Sequence, residues 1–121
     1  MCRKLYLYLK LPIVGSILAL FAISSTAWST EFTIADGETE TSQKTLATGE
    51  TGTVDSGGAL TVADDAILST AGNLTILNNG AITTSGVGNE AIDIVGNSGT
   101  STITNNGSIT TSGTGSDGVW F

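Results

Sequence analysis

The side chains of this sequence that could take part in chemistry are almost all hydroxyls and carboxylates. The chain has no His, a single Cys at Cys2 and eleven acidic residues. It therefore lacks the imidazole base of most acid–base catalysis. The paired carboxylates of a glycosidase face each other across a cleft, whereas the neighbours Asp64 and Asp65 would point apart on a turn. We therefore predict that this protein is not an enzyme and that it uses no cofactor.

Carboxylates near predicted turns could instead bind a cation. Asp55, Asp64 and Asp65 offer oxygen atoms, which are the donors that Ca²⁺ prefers. The sequence lacks, however, the nine-residue Gly-Gly-x-Gly-x-Asp repeat of calcium-binding β-rolls. We interpret these three residues as solvated corners and predict no metal site.

Two hydroxyl-bearing triplets form the most regular polar feature. If the two triplets stack, they present an array of hydroxyls that could meet a carbohydrate, the sheet edge of another protein, or ice. A simpler interpretation is that Thr is a good strand residue that interacts with its cross-strand neighbour. The residues of this possible ligand face are Thr83, Thr84, Ser85, Thr110, Thr111 and Ser112.

These triplets belong to a longer repeat that must position them. The segment Ile76–Ile94 (ILNNGAITTSGVGNEAIDI) recurs without gaps at Ile103–Phe121 (ITNNGSITTSGTGSDGVWF), at an offset of 103 − 76 = 27, and ten of the nineteen aligned pairs are identical. Apolar β-branched residues alternate with polar ones, which predicts short strands with one buried face. Asn and Gly lie between them and favour corners. We therefore predict an all-β fold, a β-helix (solenoid) in which each repeat forms one coil and Asn residues stack at a corner.

A second alignment suggests a half-period. Leu60–Gly72 matches Leu74–Gly86 at an offset of 74 − 60 = 14. This alignment places Leu68 in the core position of Ile82, and it predicts about two and a half coils in residues 53–121. Because solenoids need about three repeats and a cap, we expect further chain beyond this sequence. Residues 30–52 are acidic and would form either an N-terminal cap, with a strand at Phe32 and Ile34, or in part a disordered segment over residues 36–45.

Residues 1–29 have the three-part pattern of a secretory signal peptide. A basic start is followed by the apolar run of residues 11–23 and then by small residues. We predict a signal-peptide helix cleaved after Ala27 or, with a slight preference, after Ser29, and an uncleaved anchor is the alternative. Cys2 would be lost with it. All eleven acids but only Lys44 of the basic residues would remain, so the exported chain would carry a net charge of 1 − 11 = −10. Such a chain repels nucleic acid.

A leader followed by residues 51–86 (TGTVDSGGALTVADDAILSTAGNLTILNNGAITTSG) and a further NNGSITTSG unit resembles the start of a bacterial autotransporter (type V secretion) passenger domain. In that family a long β-helix is carried to the cell surface by a C-terminal outer-membrane barrel, and this sequence contains no such translocator barrel. The resemblance implies a non-catalytic, secreted or surface-exposed adhesin or structural stalk. Its partners would be the secretion machinery and a protein or glycan of a host or neighbouring cell. The alternatives are a glycan- or ice-binding solenoid that uses the Thr array, and a truncated fragment without independent function.

Overall fold

The computed structural model describes residues 30–96 and 99–121, and these residues form an all-β structure of short strands. The predicted leader helix and its cleavage after Ala27 or Ser29 lie outside the described residues. Among those residues no helix is long and apolar enough to cross a membrane. The strands are β1 (Phe32–Ile34), β2 (Thr39–Glu40), β3 (Lys44–Thr45), β4 (Thr51–Val54), β5 (Ala59–Val62), β6 (Ile67–Ser69), β7 (Thr75–Asn78), β8 (Ala81–Thr84), β9 (Ile92–Ile94), β10 (Thr102–Asn105), β11 (Ser108–Thr111) and β12 (Val119–Trp120).

The strands form three parallel sheets, each with four strands in the described part of the chain. Sheet A has the order β1-β4-β7-β10, sheet B β2-β5-β8-β11 and sheet C β3-β6-β9-β12. Every third strand along the chain therefore joins the same sheet, and three consecutive strands make one coil. We number the coils 1 (β1–β3), 2 (β4–β6), 3 (β7–β9) and 4 (β10–β12). The predicted β-helix is confirmed as a parallel solenoid of about four coils.

The register confirms the predicted repeat between coils 3 and 4, and it shows why the earlier coils were harder to detect. Ile109 pairs with Ile82, at the predicted offset of 109 − 82 = 27. Between coils 1 and 2 the offset in sheet A is only 52 − 32 = 20, since Phe32 pairs with Gly52. Between coils 2 and 3 the offset differs from sheet to sheet, with 82 − 60 = 22 in sheet B and 92 − 67 = 25 in sheet C. Coils of unequal length stack because most of the additional residues lie in the corners.

The prediction of a half-period and of two and a half coils is wrong. Ile82 stacks on Leu60 of the coil below. Leu68 therefore does not occupy the core position that the half-period predicts for it. Leu68 pairs with Asp93, and it is only half-buried between the inward-facing neighbours Ile67 and Ser69. The similarity behind the half-period joins strands of different sheets, since it aligns β5 with β7 and β6 with β8. In the second pair it matches the outward Leu68 with the inward Ile82. Coil 1 moreover falls within the acidic N-terminal residues, and both β2 and β3 lie in residues 36–45.

The core is a column of aliphatic side chains that fills the narrow interior between the three sheets. Leu60 and Ile82 stack directly and are both 0% exposed. One core position is a glycine, Gly52, because a Cβ there would lie 2.7 Å from the ring of Phe32, which occupies the same space. The buried core comprises Ile34, Leu46, Val54, Leu60, Val62, Ala66, Ile67, Leu74, Ile76, Ile82, Ala91, Ile92 and Ile94.

Stacked amides join coils 3 and 4 at the corner between sheets A and B. The Nδ2 of Asn78 donates to Oδ1 of Asn105 at 2.7 Å, and the Nδ2 of Asn106 donates to Oδ1 of Asn79 at 2.9 Å. The predicted Asn ladder is therefore confirmed. Asn78 is fully buried, so this ladder also supplies hydrogen bonds inside the solenoid.

Coil 4 is more exposed than the coil beneath it. Core positions that are fully buried in coil 3 are only half-buried in coil 4, and Trp120 and Phe121 are 51% and 66% exposed. Sheets A, B and C each end at a strand of coil 4 within the described residues. The stacked pairs that show this contrast are Ile76 and Ile103, Ile82 and Ile109, and Ile92 and Val119.

Candidate functional site

The hydroxyl triplets do not form one continuous outward array. Because side chains alternate along a strand, Thr84 and Thr111 share the inward face of sheet B with Ile82. Thr84 is 0% exposed, and its Oγ1 donates to the carbonyl oxygen of Asn89 at 3.3 Å. The Oγ1 of Thr111 makes the equivalent bond to Ser116 at 3.5 Å. These two hydroxyls therefore donate hydrogen bonds to the corner that follows their own strand, and they lie on the inward face of the sheet.

The outward residues of the same strands stack as the sequence predicts. Thr110 lies over Thr83, and Thr83 lies over Thr61 of coil 2. Ser85 and Ser112 follow the strands and are exposed, and the Oγ of Ser112 donates to the carbonyl oxygen of Thr84 at 3.3 Å. The part of the predicted ligand face that a large ligand can reach is therefore a single Thr column with exposed serines beside it.

Sheet A carries a broader threonine face, which the sequence analysis missed. Two outward columns run side by side across its strands, with coils about 4.8 Å apart and outward residues of one strand about 6.6 Å apart. A short signal, Thr-x-Thr in β4 and again in β10, could have revealed it. One column is Thr51, Thr75 and Thr102, and the other is Thr33, Thr53, Leu77 and Thr104.

An acidic corner lies before sheet C, where residues of three coils stack vertically. The backbone N–H of Ala66 donates to the carbonyl oxygen of Glu90 at 3.1 Å, and that of Ala91 donates to the carbonyl oxygen of Asp117 at 3.1 Å. These bonds, with the register of β6, β9 and β12, place Glu90 over Asp65 and Asp117 over Glu90. Oδ1 of Asp65 also accepts a 2.8 Å hydrogen bond from the backbone N–H of Glu90. The fold thus aligns three acidic residues along one edge.

Asp93 joins this corner from the outward face of β9. Its register neighbours are Leu68 in coil 2 and Trp120 in coil 4. One carboxylate oxygen from each of Asp65, Glu90 and Asp93 lies within 4.8 Å of the other two. Oδ1 of Asp93 is buried, and it has no hydrogen-bond partner among the residues that the structure describes.

The electrostatics of this acidic cluster, defined as Asp65, Glu90 and Asp93, disfavour full ionisation. Burial raises the pKa of Glu90, and the neighbouring charge of Asp65, a side-chain hydrogen bond with Asp65 and the charge of Asp93 raise it further. Burial also raises the pKa of Asp93, followed by the charge of Asp65. Lys44 is the single basic residue of the chain after Lys10. It bonds Glu40 in coil 1 at 2.8 Å, and no cationic side chain of the described residues therefore compensates the cluster.

The grouping of the acids differs from the one that the sequence predicts, in which Asp55, Asp64 and Asp65 are solvated corner residues. In the structure only Asp65 joins the cluster, while the neighbouring Asp64 is exposed. The partners of Asp65 come from coil 3, one coil further along the chain, and no repeated motif marks that offset. The alignment of Glu90 with Asp117 between the two copies of the repeat was the one signal of a vertical acidic column.

Comparison with protein-family models, with curated proteins and with solved structures found no match. The fold itself defines the class, which is a parallel β-solenoid. Its two notable surfaces are the threonine face of sheet A and the acidic cluster beside sheet C. The described residues enclose no pocket.

Proposed function

We propose that this protein is an exported, non-catalytic β-helix segment of the autotransporter passenger type, acting as a structural stalk or adhesive surface outside a bacterial cell. The observation that carries the proposal is the stacking of four coils in the described part of the chain, where the strands of each coil pair only with those of the adjacent coils. Such a solenoid extends in one direction, and its outward faces are long and regular. These are the properties that a stalk or an extended binding surface needs.

The sequence supports export and an extracellular location. Residues 1–29 have the pattern of a secretory leader. The remaining chain is strongly acidic, and no cysteine follows Cys2. A high net negative charge keeps a protein soluble and resists non-specific association with anionic surfaces.

A test of export follows from the leader. The full-length chain, with a C-terminal epitope tag, would be expressed in a Gram-negative bacterium, and its N-terminus would be sequenced after cell fractionation. We expect a product that lacks residues 1–27 or 1–29 and lies outside the inner membrane. A matched variant, Leu18→Arg, interrupts the apolar run and should remain unprocessed in the cytoplasm. Recovery of the wild-type chain unprocessed in the cytoplasm would contradict the proposal.

A second candidate function is ligand binding by threonine side chains. The specific observation in its favour is the face of sheet A, where Thr51, Thr75 and Thr102 stack in one column. A regular array of hydroxyl and methyl groups suits an extended, repetitive ligand, namely a glycan or an ice surface. It binds without the concave pocket that small molecules usually need.

Paired substitutions separate the stalk from the ligand binder. Thr75→Lys with Thr102→Lys alters sheet A, and Thr83→Lys with Thr110→Lys makes the same change of charge on sheet B. The readouts are binding to a glycan array, inhibition of ice recrystallisation and adhesion to intact cells. A ligand binder that uses sheet A loses its activity in the first double variant and keeps it in the second. If the protein is only a stalk, neither double variant changes any of these readouts.

A further inference from the structure

We propose that Asn106 is a site of spontaneous deamidation, and that its conversion to aspartate or isoaspartate weakens the contact between coil 4 and coil 3. The dipeptide Asn-Gly occurs twice at the corner between sheets A and B, as Asn79 and Gly80 in coil 3 and as Asn106 and Gly107 in coil 4. The fold covers the first copy and exposes the second. The modification is independent of the proposed stalk or adhesin function, because the reaction needs only water.

The chemistry depends on the glycine that follows the asparagine, because glycine has no side chain to obstruct the approach of its own nitrogen. The backbone nitrogen of Gly107 loses its proton and forms a bond to Cγ of Asn106. The Cγ–Nδ2 bond breaks, and Nδ2 gains a proton from water and leaves as ammonia. The product at this stage is a five-membered succinimide ring.

Water then opens the ring at one of its two carbonyl carbons. The C–N bond at that carbon breaks, its electron pair stays on the backbone nitrogen, and the nitrogen takes up a proton. Opening at Cγ gives aspartate, and opening at the backbone carbonyl carbon gives isoaspartate. In sum, one amide and one water become one carboxylate and one ammonium ion, without an oxidant or a cofactor.

The copy in coil 3 is held by the amide ladder and by coil 4. The backbone N–H of Gly80 donates to Oδ1 of the buried Asn78 at 3.2 Å, and its carbonyl oxygen accepts a 2.8 Å hydrogen bond from the backbone N–H of Ser108. The Oδ1 of Asn79 accepts a 2.9 Å bond from Asn106. Attack on Cγ of Asn79 requires that the Gly80 peptide breaks these bonds and turns, so this copy is protected.

The copy in coil 4 is open to solvent. Asn106 and Gly107 are both exposed, and sheets A and B end at coil 4 within the described residues. The backbone N–H groups of both residues donate to the carbonyl oxygen of Asn78 in the coil beneath, at 2.7 and 3.0 Å. Exposed backbone with few packed neighbours opens locally at low free energy. Asn106 therefore reaches the reactive geometry more often than Asn79.

Conversion of Asn106 would disturb the corner in two ways. Aspartate replaces the donor Nδ2 with a carboxylate oxygen, which would face Oδ1 of Asn79, so that two acceptors meet in the outer ladder. Isoaspartate adds a methylene group to the backbone, where space is scarce, because a Cβ on Gly107 would overlap the carbonyl oxygen of Gly80. We expect β10 and β11 to lose part of their pairing with β7 and β8.

The experiment compares the two copies within the same molecule. The purified, folded full-length chain is incubated in mildly alkaline buffer made with H₂¹⁸O and is then digested with thermolysin in ordinary water. Only carboxylates formed during the incubation carry the heavy isotope, and tandem mass spectrometry assigns each to a residue. We expect Asn106 to convert about tenfold or more faster than Asn79, since protection grows with the free energy of local opening.

Incubation in urea is the matched control for the fold. The two copies have nearly the same local sequence, NNGAITT and NNGSITT, so their asparagines should convert at similar rates once the chain is unfolded. Equal rates at Asn79 and Asn106 in the folded chain, or faster conversion of Asn79, would overturn the assignment. A rate ratio in urea as large as in the folded chain would equally overturn it, because the fold would then play no part.

Amide hydrogen exchange tests the effect on coil 4. After prolonged incubation the wild-type chain should exchange faster in β10 and β11 than a fresh sample does. Asn106→Gln is the matched variant, because its longer side chain cannot form the five-membered ring, and it should exchange equally before and after the same incubation. Unchanged exchange in the converted wild-type chain, or an equal increase in the variant, would refute the weakening of coil 4.

Discussion

Replacing Asn78 with Val should destabilise the solenoid strongly, although Val fits the position. Val54 occupies the equivalent place one coil below, directly in register with Asn78. The Nδ2 of Asn78 donates to Oδ1 of Asn105 at 2.7 Å and to the carbonyl oxygen of Ser108 at 3.0 Å. Its Oδ1 accepts a 3.2 Å bond from the backbone N–H of Gly80. The substitution therefore removes three hydrogen bonds from a fully buried side chain without a steric clash.

The magnitude follows from these three bonds. Each neutral hydrogen bond contributes about 1 kcal/mol, so their loss costs about 3 kcal/mol. The additional apolar surface that Val buries returns less than about 1 kcal/mol. We therefore expect the free energy of unfolding to fall by roughly 2–3 kcal/mol. For a domain of this size that corresponds to a decrease of roughly 10–20 °C in the melting temperature.

The assay is urea unfolding followed by circular dichroism, with Asn79→Val as the matched control. The Oδ1 of Asn79 accepts a hydrogen bond from Asn106 in the more exposed ladder of the same corner. Its replacement should cost less than about 1 kcal/mol, because water can replace an exposed partner. If the two substitutions cost the same within about 0.5 kcal/mol, the inner amide is not an important internal support of the corner, and the argument from burial is wrong.

Three further predictions concern the core, the corner and the acidic cluster. Ile82→Ala should cost about 2–5 kcal/mol in urea unfolding, because a fully buried side chain is lost from the centre of the core column. Ile109→Ala, one coil above, should cost less than half as much, because its side chain is only partly buried. Gly80→Ala should lower the melting temperature sharply, since its Cβ would lie too close to a carbonyl oxygen of the coil below. A normal melting temperature would contradict that clash. Stability should rise as the pH falls through the raised pKa values of Glu90 and Asp93. The folded state then binds protons more tightly than the unfolded chain does. Melting curves of Asp93→Asn should show a weaker pH dependence than those of the wild type.

The sequence was most informative where the coils have equal length. Between coils 3 and 4 the constant offset of the repeat predicts the stacking of Ile82 with Ile109 and the contact between the Asn78 and Asn105 side chains, and both are present. Identical side chains stack well in a parallel solenoid, so sequence identity and spatial neighbourhood coincide there.

Sequence similarity does not reveal the contacts in which different side chains stack on each other. Gly52 lies over Phe32 because a small residue complements a large one, and such a pair leaves no sequence similarity to detect. The acidic cluster escaped detection for a related reason, because Asp65 and Glu90 belong to coils of different length. The prediction that Thr84 belongs to an exposed ligand face is wrong, because its spacing of two from Ile82 puts it on the inward face of the strand.

The pairing of the strands also bears on how the chain reaches its folded state. Residues that pair in adjacent coils are separated by the length of a single coil along the chain, as Phe32 is from Gly52 and Ile82 from Ile109. A polypeptide that leaves a narrow channel from one end can therefore complete each layer soon after it emerges, without waiting for distant segments. Each finished layer then hinders backward sliding of the strand behind it, so that folding itself would favour one direction of passage.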